Sequence, residues 1–237
     1  MASKNFIYNE ISYDISYKLL NISKENSILI LHGWGANKEI MERCFKNNFK
    51  EYRHIYVDLP GFGNSSIAKP LDSFEVSVIV QEFLNELKEK PKIIIGHSFG
   101  GKIATLLNPQ TLVLLSSAGI VLPKRFSVRF KIRLFKIFKK IGFGKFYKLF
   151  ASRDVDGMNQ TMYEMFKKVV NEDMSENFKN FKNSVFIFWG KDDKATPLKA
   201  GEMIHELINN SKFFKCEGDH FFFLNKADFI EKNISKE

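Results

Sequence analysis

The chain has little of what staples a fold, chelates a metal or crosses a membrane. Its only cysteines are Cys44 and Cys216, with no C-x-x-C pair. Neither a disulfide framework nor a thiolate zinc site is expected, and both thiols are read as small buried or half-buried residues. No apolar run approaches the roughly 18 residues that a membrane-spanning helix needs. The opening residues, Met1-Ala-Ser-Lys-Asn-Phe6, carry no apolar signal-peptide region. The protein is therefore expected in the cytoplasm. There is no P-loop, no dinucleotide fingerprint and no cluster with metal-ligand spacing, so no cofactor and no metal are expected.

Acidic residues are missing from one long stretch. Between Lys124 and Arg153 the chain carries eleven basic residues and no acidic one. That leaves 25 of the 36 basic residues against all 27 acidic ones elsewhere, so the net charge of +9 resides entirely in this segment. What the chain has in quantity is apolar mass. It has 237 residues, 44% of them hydrophobic, and 25 phenylalanines. This suffices for one large domain, or one domain with an insertion, with a wide aromatic interior or an aromatic-lined pocket.

The order of elements points to an α/β architecture. The first twenty residues alternate loosely and predict one or two antiparallel strands. Apolar strands are expected at 27–31, 54–57, 92–95, 111–115, 185–189 and 212–215. Helices are expected at 37–50, 73–90 (with Ser73 as N-cap), 102–107, 197–209 and 222–232. Continuous apolar strands alternating with helices imply a mostly parallel sheet covered by helices on both faces. The alternation is interrupted once, between Ile120 and Asn183, where only helical patterns occur. A helical cap inserted between two core strands is expected there. The chain then divides into core residues 1–119, cap residues 120–183 and core residues 184–237.

The chemistry centres on Ile93-Ile-Ile-Gly96-His97-Ser98-Phe99-Gly100-Gly101. Alone, G-x-S-x-G can arise by chance in a surface turn. Here an apolar strand precedes it and a helical run follows, which is the context a nucleophile elbow requires. The turn is so tight that residues two before and two after the serine pass close together, so glycine is needed at 96 and 100. A serine nucleophile needs a base, and the base an orienting carboxylate, in the order Ser, acid, His. Of the five histidines only His220 combines the right place in the order with a loop setting, before the last helix; His205 falls within a helical run. The acid should follow the 185–189 strand, where Asp192 and Asp193 are adjacent. Asp193 is chosen, three residues past the turn glycine, with Asp192 left to the turn. The two oxyanion donors are expected to be the amides of Phe99 and of Trp34, the latter in the loop His32-Gly33-Trp34-Gly35. Plainer roles fall to the rest: His32 braces its own loop, His97 packs beside the serine, Asp58 satisfies backbone donors, and His54 and His205 are structural.

Taken together, H-G-W-G (32–35), V-D-L-P-G-F-G-x-S (57–65), G-H-S-F-G-G (96–101), W-G-x-x-D-x-x-x-P (189–197) and G-x-H (218–220) resemble the α/β-hydrolase superfamily, in that family's order. The resemblance implies the α/β-hydrolase fold and a Ser98–Asp193–His220 triad. Serine at 98 argues against the haloalkane dehalogenases, which are similar but use aspartate there. Within the superfamily, His32–Gly35 and Val57–Gly63 look like the pimeloyl-[acyl-carrier protein] methyl ester esterases, and like general carboxylesterases. The first resemblance implies cleavage of a methyl ester held on acyl carrier protein.

In the basic stretch, Arg125, Arg129, Arg133, Lys136 and Lys140 are spaced 4, 4, 3 and 4. On a helix they form one stripe beside an apolar face. Three roles stay open for it: a solvated cap face, a docking surface for acyl carrier protein, or contact with an anionic membrane. Nucleic acid is not expected, because no recognition motif accompanies the charge. The expected function is a serine hydrolase that cleaves a carboxylic ester through an acyl-enzyme, the substrate being a small-molecule ester or a methyl ester carried on acyl carrier protein. Its alternatives are a general carboxylesterase, a lipase-like hydrolase at a membrane surface, and a non-catalytic binding protein on the same fold.

Overall fold

The computed structural model describes residues 2–122 and 159–234. Eight strands, β1 (Ala2–Tyr8), β2 (Ile11–Leu20), β3 (Ser27–Leu31), β4 (Arg53–Val57), β5 (Ile93–His97), β6 (Thr111–Leu115), β7 (Ser184–Gly190) and β8 (Ser211–Cys216), form one sheet in the order β1-β2-β4-β3-β5-β6-β7-β8. β1 and β2 pair antiparallel, as do β2 and β4, and every later pairing is parallel. The helices are α1 (Lys38–Phe45), α2 (Ser73–Glu86), α3 (Phe99–Leu106), α4 (Gln160–Val169), α5 (Ser175–Asn180), α6 (Leu198–Leu207) and α7 (Ala227–Ile234), with a 3₁₀ turn at Phe222–Asn225.

The central strands are apolar throughout because both faces are covered. Successive side chains of a strand point to opposite faces. Leu29, Leu31, Ile94, Leu112, Leu114, Val185 and Ile187 accordingly pack with α2, α3 and α6 in one core. Ile28, Ile30, Ile93, Ile95, Val113, Leu115, Phe186 and Phe188 pack with α1, α7 and the 3₁₀ turn in the other. The phenylalanines serve both layers: Phe83 and Phe178 are fully buried on the first side, Phe45 and Phe223 on the second.

Three local expectations are corrected. The N-cap of α2 is Asp72, not Ser73: Asp72 accepts from the Glu75 amide, and the Glu75 carboxylate accepts from the Asp72 amide. Ser73 instead bonds Glu172 across the fold. The first helix stops at Phe45, because Phe49 takes left-handed backbone (φ 48°) and turns its ring into the core. The last helical stretch is two elements. The 3₁₀ turn, which ends at Lys226, buries the adjacent Phe222 and Phe223, and α7 starts afresh at Ala227.

Candidate active site

The site lies at the carboxyl ends of the parallel strands. β5 runs to His97, Ser98 forms the turn, and α3 starts at Phe99. Ser98 has φ 51° and ψ −113°, a backbone state that costs a non-glycine residue on the order of 1–3 kcal/mol. The surroundings hold it there. The Ser98 amide donates to Leu115 O at 3.1 Å, continuing the β5–β6 pairing, and Ser98 O accepts from Gly101 N and Ala118 N at 3.0 Å each. A Cβ on Gly96 would stand 2.4 Å from Gly100 O, and one on Gly100 would stand 2.5 Å from His32 O. Both glycines are therefore demanded by backbone against backbone. Ser98 is half-buried.

The His32–Gly35 loop, the expected source of an oxyanion donor, follows β3 and abuts the turn at Ser98. A Cβ on Gly33 would lie 3.0 Å from Ser98 Cβ and 2.8 Å from His97 Nδ1. His32 staples the loop to the end of β4. Its Nε2 accepts from Leu59 N at 3.0 Å, so Nδ1 carries the proton and donates to Gly33 O at 2.7 Å. Burial pushes its pKa down to about 4, against a smaller opposing effect of the Gly33 bond. Trp34 is half-buried, with ring centroids 4.8 Å from Phe62, 5.5 Å from Phe99 and 5.3 Å from Phe166 of α4. Phe99 opens α3, so its amide has no acceptor within the helix.

His220 and Asp193 come from the loops after β8 and β7, neighbours in the sheet. His220 Nδ1 lies 2.8 Å from Asp193 Oδ2. The Asp193 side chain is fully buried, while that of His220 is 16% exposed. Asp193 Oδ1 also accepts from the amides of Ala195 (2.8 Å) and Thr196 (2.9 Å). Burial alone would raise its pKa. The bonds from His220, Thr196 and Ser116 outweigh that and hold it below the usual carboxylate range. Asp192 is exposed, and its amide donates to Gly218 O at 3.0 Å, within the turn.

Sequence reasoning did not single out Thr196, Ser116 or Lys38. Thr196 Oγ1 lies 2.8 Å from Asp193 Oδ2, 3.0 Å from Ser116 O and 3.3 Å from His220 Nδ1. Its place three residues after an aspartate, just before a proline, is the available signal for such a local bond. Asp58 satisfies backbone donors as expected, taking Lys38 N at 2.8 Å and Asn64 N at 3.0 Å. It also holds the buried ammonium of Lys38 at 2.6 Å, tying α1 to the loop after β4. His54 is buried between Tyr56 and Phe49 O. Cys44 is half-buried and donates to Phe223 O, and Cys216 is buried. Among the described residues no three His, Cys, Asp or Glu side chains are grouped to hold a metal, and no helix is long and apolar enough to cross a membrane. Arg125, Arg129, Arg133, Lys136 and Lys140 lie outside the described residues.

Comparison with known proteins agrees with the architecture. The family model for the alpha/beta hydrolase fold matches residues 26–111. A pimeloyl-[acyl-carrier protein] methyl ester esterase of Shewanella woodyi is 38% identical over 90 residues, which is 38% of this chain and 33% of that protein. The enzyme of the same name from Pseudoalteromonas atlantica is 30% identical over 109 residues, covering 43% of this chain and 41% of its own. The chain thus matches between a third and about two-fifths of the length of these relatives. An esterase from Exiguobacterium antarcticum superposes with a TM-score of 0.74 at 24% identity, over 94% of this chain and 95% of the other. The chain has the α/β-hydrolase fold and, over about two-fifths of its length, resembles the pimeloyl-[acyl-carrier protein] methyl ester esterases.

Proposed function

We propose that this protein is a serine hydrolase that cleaves a carboxylic ester in two steps. The observation that carries the reading is the 2.8 Å bond from His220 Nδ1 to the buried Asp193 carboxylate, in loops beside a serine held at φ 51°. Because Nδ1 donates to Asp193, the free lone pair of neutral His220 is on Nε2. His220 Nε2 takes the Ser98 hydroxyl proton as Oγ attacks the ester carbonyl. The amides of Trp34 and Phe99 stabilise the oxyanion. The C–O bond to the leaving alcohol breaks as His220 hands it the proton, leaving an acyl-Ser98. Water, activated by the same His220, then releases the acid and restores the serine. Asp193 holds the His220 tautomer and stabilises the imidazolium.

Residues 120–183 are read as a cap over this centre. The 5.3 Å contact of Phe166 with Trp34 supports that reading, since it sets α4 against the oxyanion loop. The substrate we favour is a methyl ester of a dicarboxylic acyl chain on acyl carrier protein, the chemistry named in the relatives. The +11 segment 124–153 suits an acidic carrier protein by long-range attraction.

The test compares the carrier-bound methyl ester, the free methyl ester and a short aryl ester, using wild type and Ser98→Ala at low and moderate salt. The expected result is a preference for the carrier-bound ester that weakens with salt, and no turnover by Ser98→Ala. Equal, salt-insensitive rates on the free esters would leave a general carboxylesterase. Turnover by Ser98→Ala would overturn the serine mechanism.

A further inference from the structure

Strand parity decides where His97 points. Ile93, Ile95 and His97 alternate onto the same face of β5, where Ile93 and Ile95 meet the core shared with the 3₁₀ turn. That turn begins two residues after His220, so the residue before the nucleophile faces the loop that carries the base. The contacts bear this out. The His97 ring lies 4.6 Å from the His220 ring, 4.6 Å from Phe223 and 5.2 Å from Phe221. Its Nε2 is 3.0 Å from the main-chain oxygen of His220. A carbonyl only accepts, so Nε2 carries the hydrogen and donates it.

The other nitrogen shows that the ring is committed to this bond. Nδ1 is buried without a hydrogen-bond partner, against Gly33 of the oxyanion loop. An unpaired buried acceptor is unfavourable, and an apolar side chain would avoid it. Burial first, and the nearby His220 second, push the pKa of His97 down to about 3, so the ring is neutral at working pH. One side chain thus touches three parts of the site: Ser98 through the chain, the His220 loop through a hydrogen bond and ring contact, and the oxyanion loop through Gly33.

We propose that His97 is a positioning residue, whose Nε2–H bond to the His220 carbonyl fixes the base relative to Ser98. This rests on the reading of Ser98 and His220 as nucleophile and base. It differs from mere packing beside the serine, because it makes the donor, and not the volume, the part that matters.

His97→Gln and His97→Met separate the two. Both side chains are unbranched and similar in length, but only Gln carries an N–H at the far end. The measurements are kcat and KM on a short aryl ester, the rate of Ser98 labelling by a fluorophosphonate, and thermal unfolding, with Ser98→Ala in the same assays. The expected result is that Met lowers kcat and the labelling rate together by tenfold or more with KM within twofold, while Gln recovers kcat to within threefold of wild type. Equal losses in Gln and Met, or a Met variant within twofold of wild type, overturn the proposal. If the Met variant does not fold, Gln alone decides: a loss of threefold or less supports the proposal and a larger one overturns it. Activity surviving in Ser98→Ala would instead sink the serine-hydrolase reading itself, a separate failure read in the same experiment.

Discussion

The Nδ1 of His220 and the Oδ2 of Asp193 meet at 2.8 Å, although 27 residues separate them in the chain. β7 and β8 pair in parallel from Val185–Ser211 to Gly190–Cys216, so the loops that follow them leave the sheet side by side. A Cβ on Gly190 would fall 2.2 Å from Asp219 O, so the two loops touch where they emerge. The pair is thus a product of strand register and one small residue, and it needs no long-range search by flexible side chains.

Asp193→Asn should therefore lower kcat by roughly 10²–10⁴-fold with KM little changed, because the amide cannot hold the Nδ1–H tautomer of His220. Its carbonyl oxygen can still accept from the Ala195 and Thr196 amides, so the loop should keep its shape. Asp192→Asn should stay within twofold of wild type. Steady-state kinetics of both variants on a short aryl ester checks this. A larger loss at 192 than at 193 would exchange the two assignments.

The glycines of the elbow should be separable from those that only turn the chain. Gly100→Ala places a methyl 2.5 Å from the main-chain oxygen of His32, which cannot swing away. A stability loss of about 3 kcal/mol or more is expected. Gly35 has φ +70° with nothing within 4 Å of an added Cβ, so Gly35→Ala meets only backbone strain, about 1–2 kcal/mol. Urea unfolding of the two variants should rank them in that order.

Much of this was legible in residue order. The strands 27–31 and 111–115 fall where the apolar runs place them, because a strand covered on both faces must be apolar at every position. His220 and Asp193 could be chosen because the fold fixes their order along the chain. What could not be read are partnerships made in three dimensions. Lys38 and Lys102 look like solvated lysines, yet they are 1% and 2% exposed, held by Asp58 and by Glu172, 70 residues beyond Lys102. Ser73 looks like an N-cap until Glu172 claims its hydroxyl. The break at Lys226 follows from the need to bury both Phe222 and Phe223, a demand of the core that helical periodicity does not express.

Two buried neutral histidines should make the fold sensitive to acid. The pKa of His32 is pushed down to about 4 and that of His97 to about 3, against 6.5 for a free side chain. Between those values the unfolded chain binds protons that the native state refuses, so stability is full above about pH 6.5 and falls as pH drops toward the folded values. At pH 4.5 each contributes a loss of about 2–3 kcal/mol. Urea midpoints measured from pH 7 to 4.5 should fall steadily, and His32→Gln should flatten the slope. A midpoint independent of pH over this range would contradict the burial of both rings.

α4 is tied to α3, the helix that starts behind Ser98. Lys102 lies one turn into α3 behind Ser98, and its ammonium reaches Glu172 and, at 2.9 Å, Val169 O at the end of α4. Glu172 also accepts from the Ser73 amide at 3.1 Å and from the Ser73 hydroxyl. Burial would raise its pKa, but the bonds from Lys102 and Ser73 hold it below the usual range. Removing one partner of a buried pair leaves an uncompensated charge, whereas removing both leaves an apolar gap. Glu172→Ala should therefore cost about 3–5 kcal/mol, because among the described residues the buried ammonium keeps Val169 O as its remaining hydrogen-bond partner. The double variant Lys102→Met/Glu172→Ala should be more stable than Glu172→Ala alone, since Met fills the lysine track without a charge. Urea unfolding of the two singles and the double gives the coupling directly. Additive losses would mean that the pair is solvated in solution, and that α4 is held by Trp34, its apolar contacts and the Lys168 bond to Pro70 O instead.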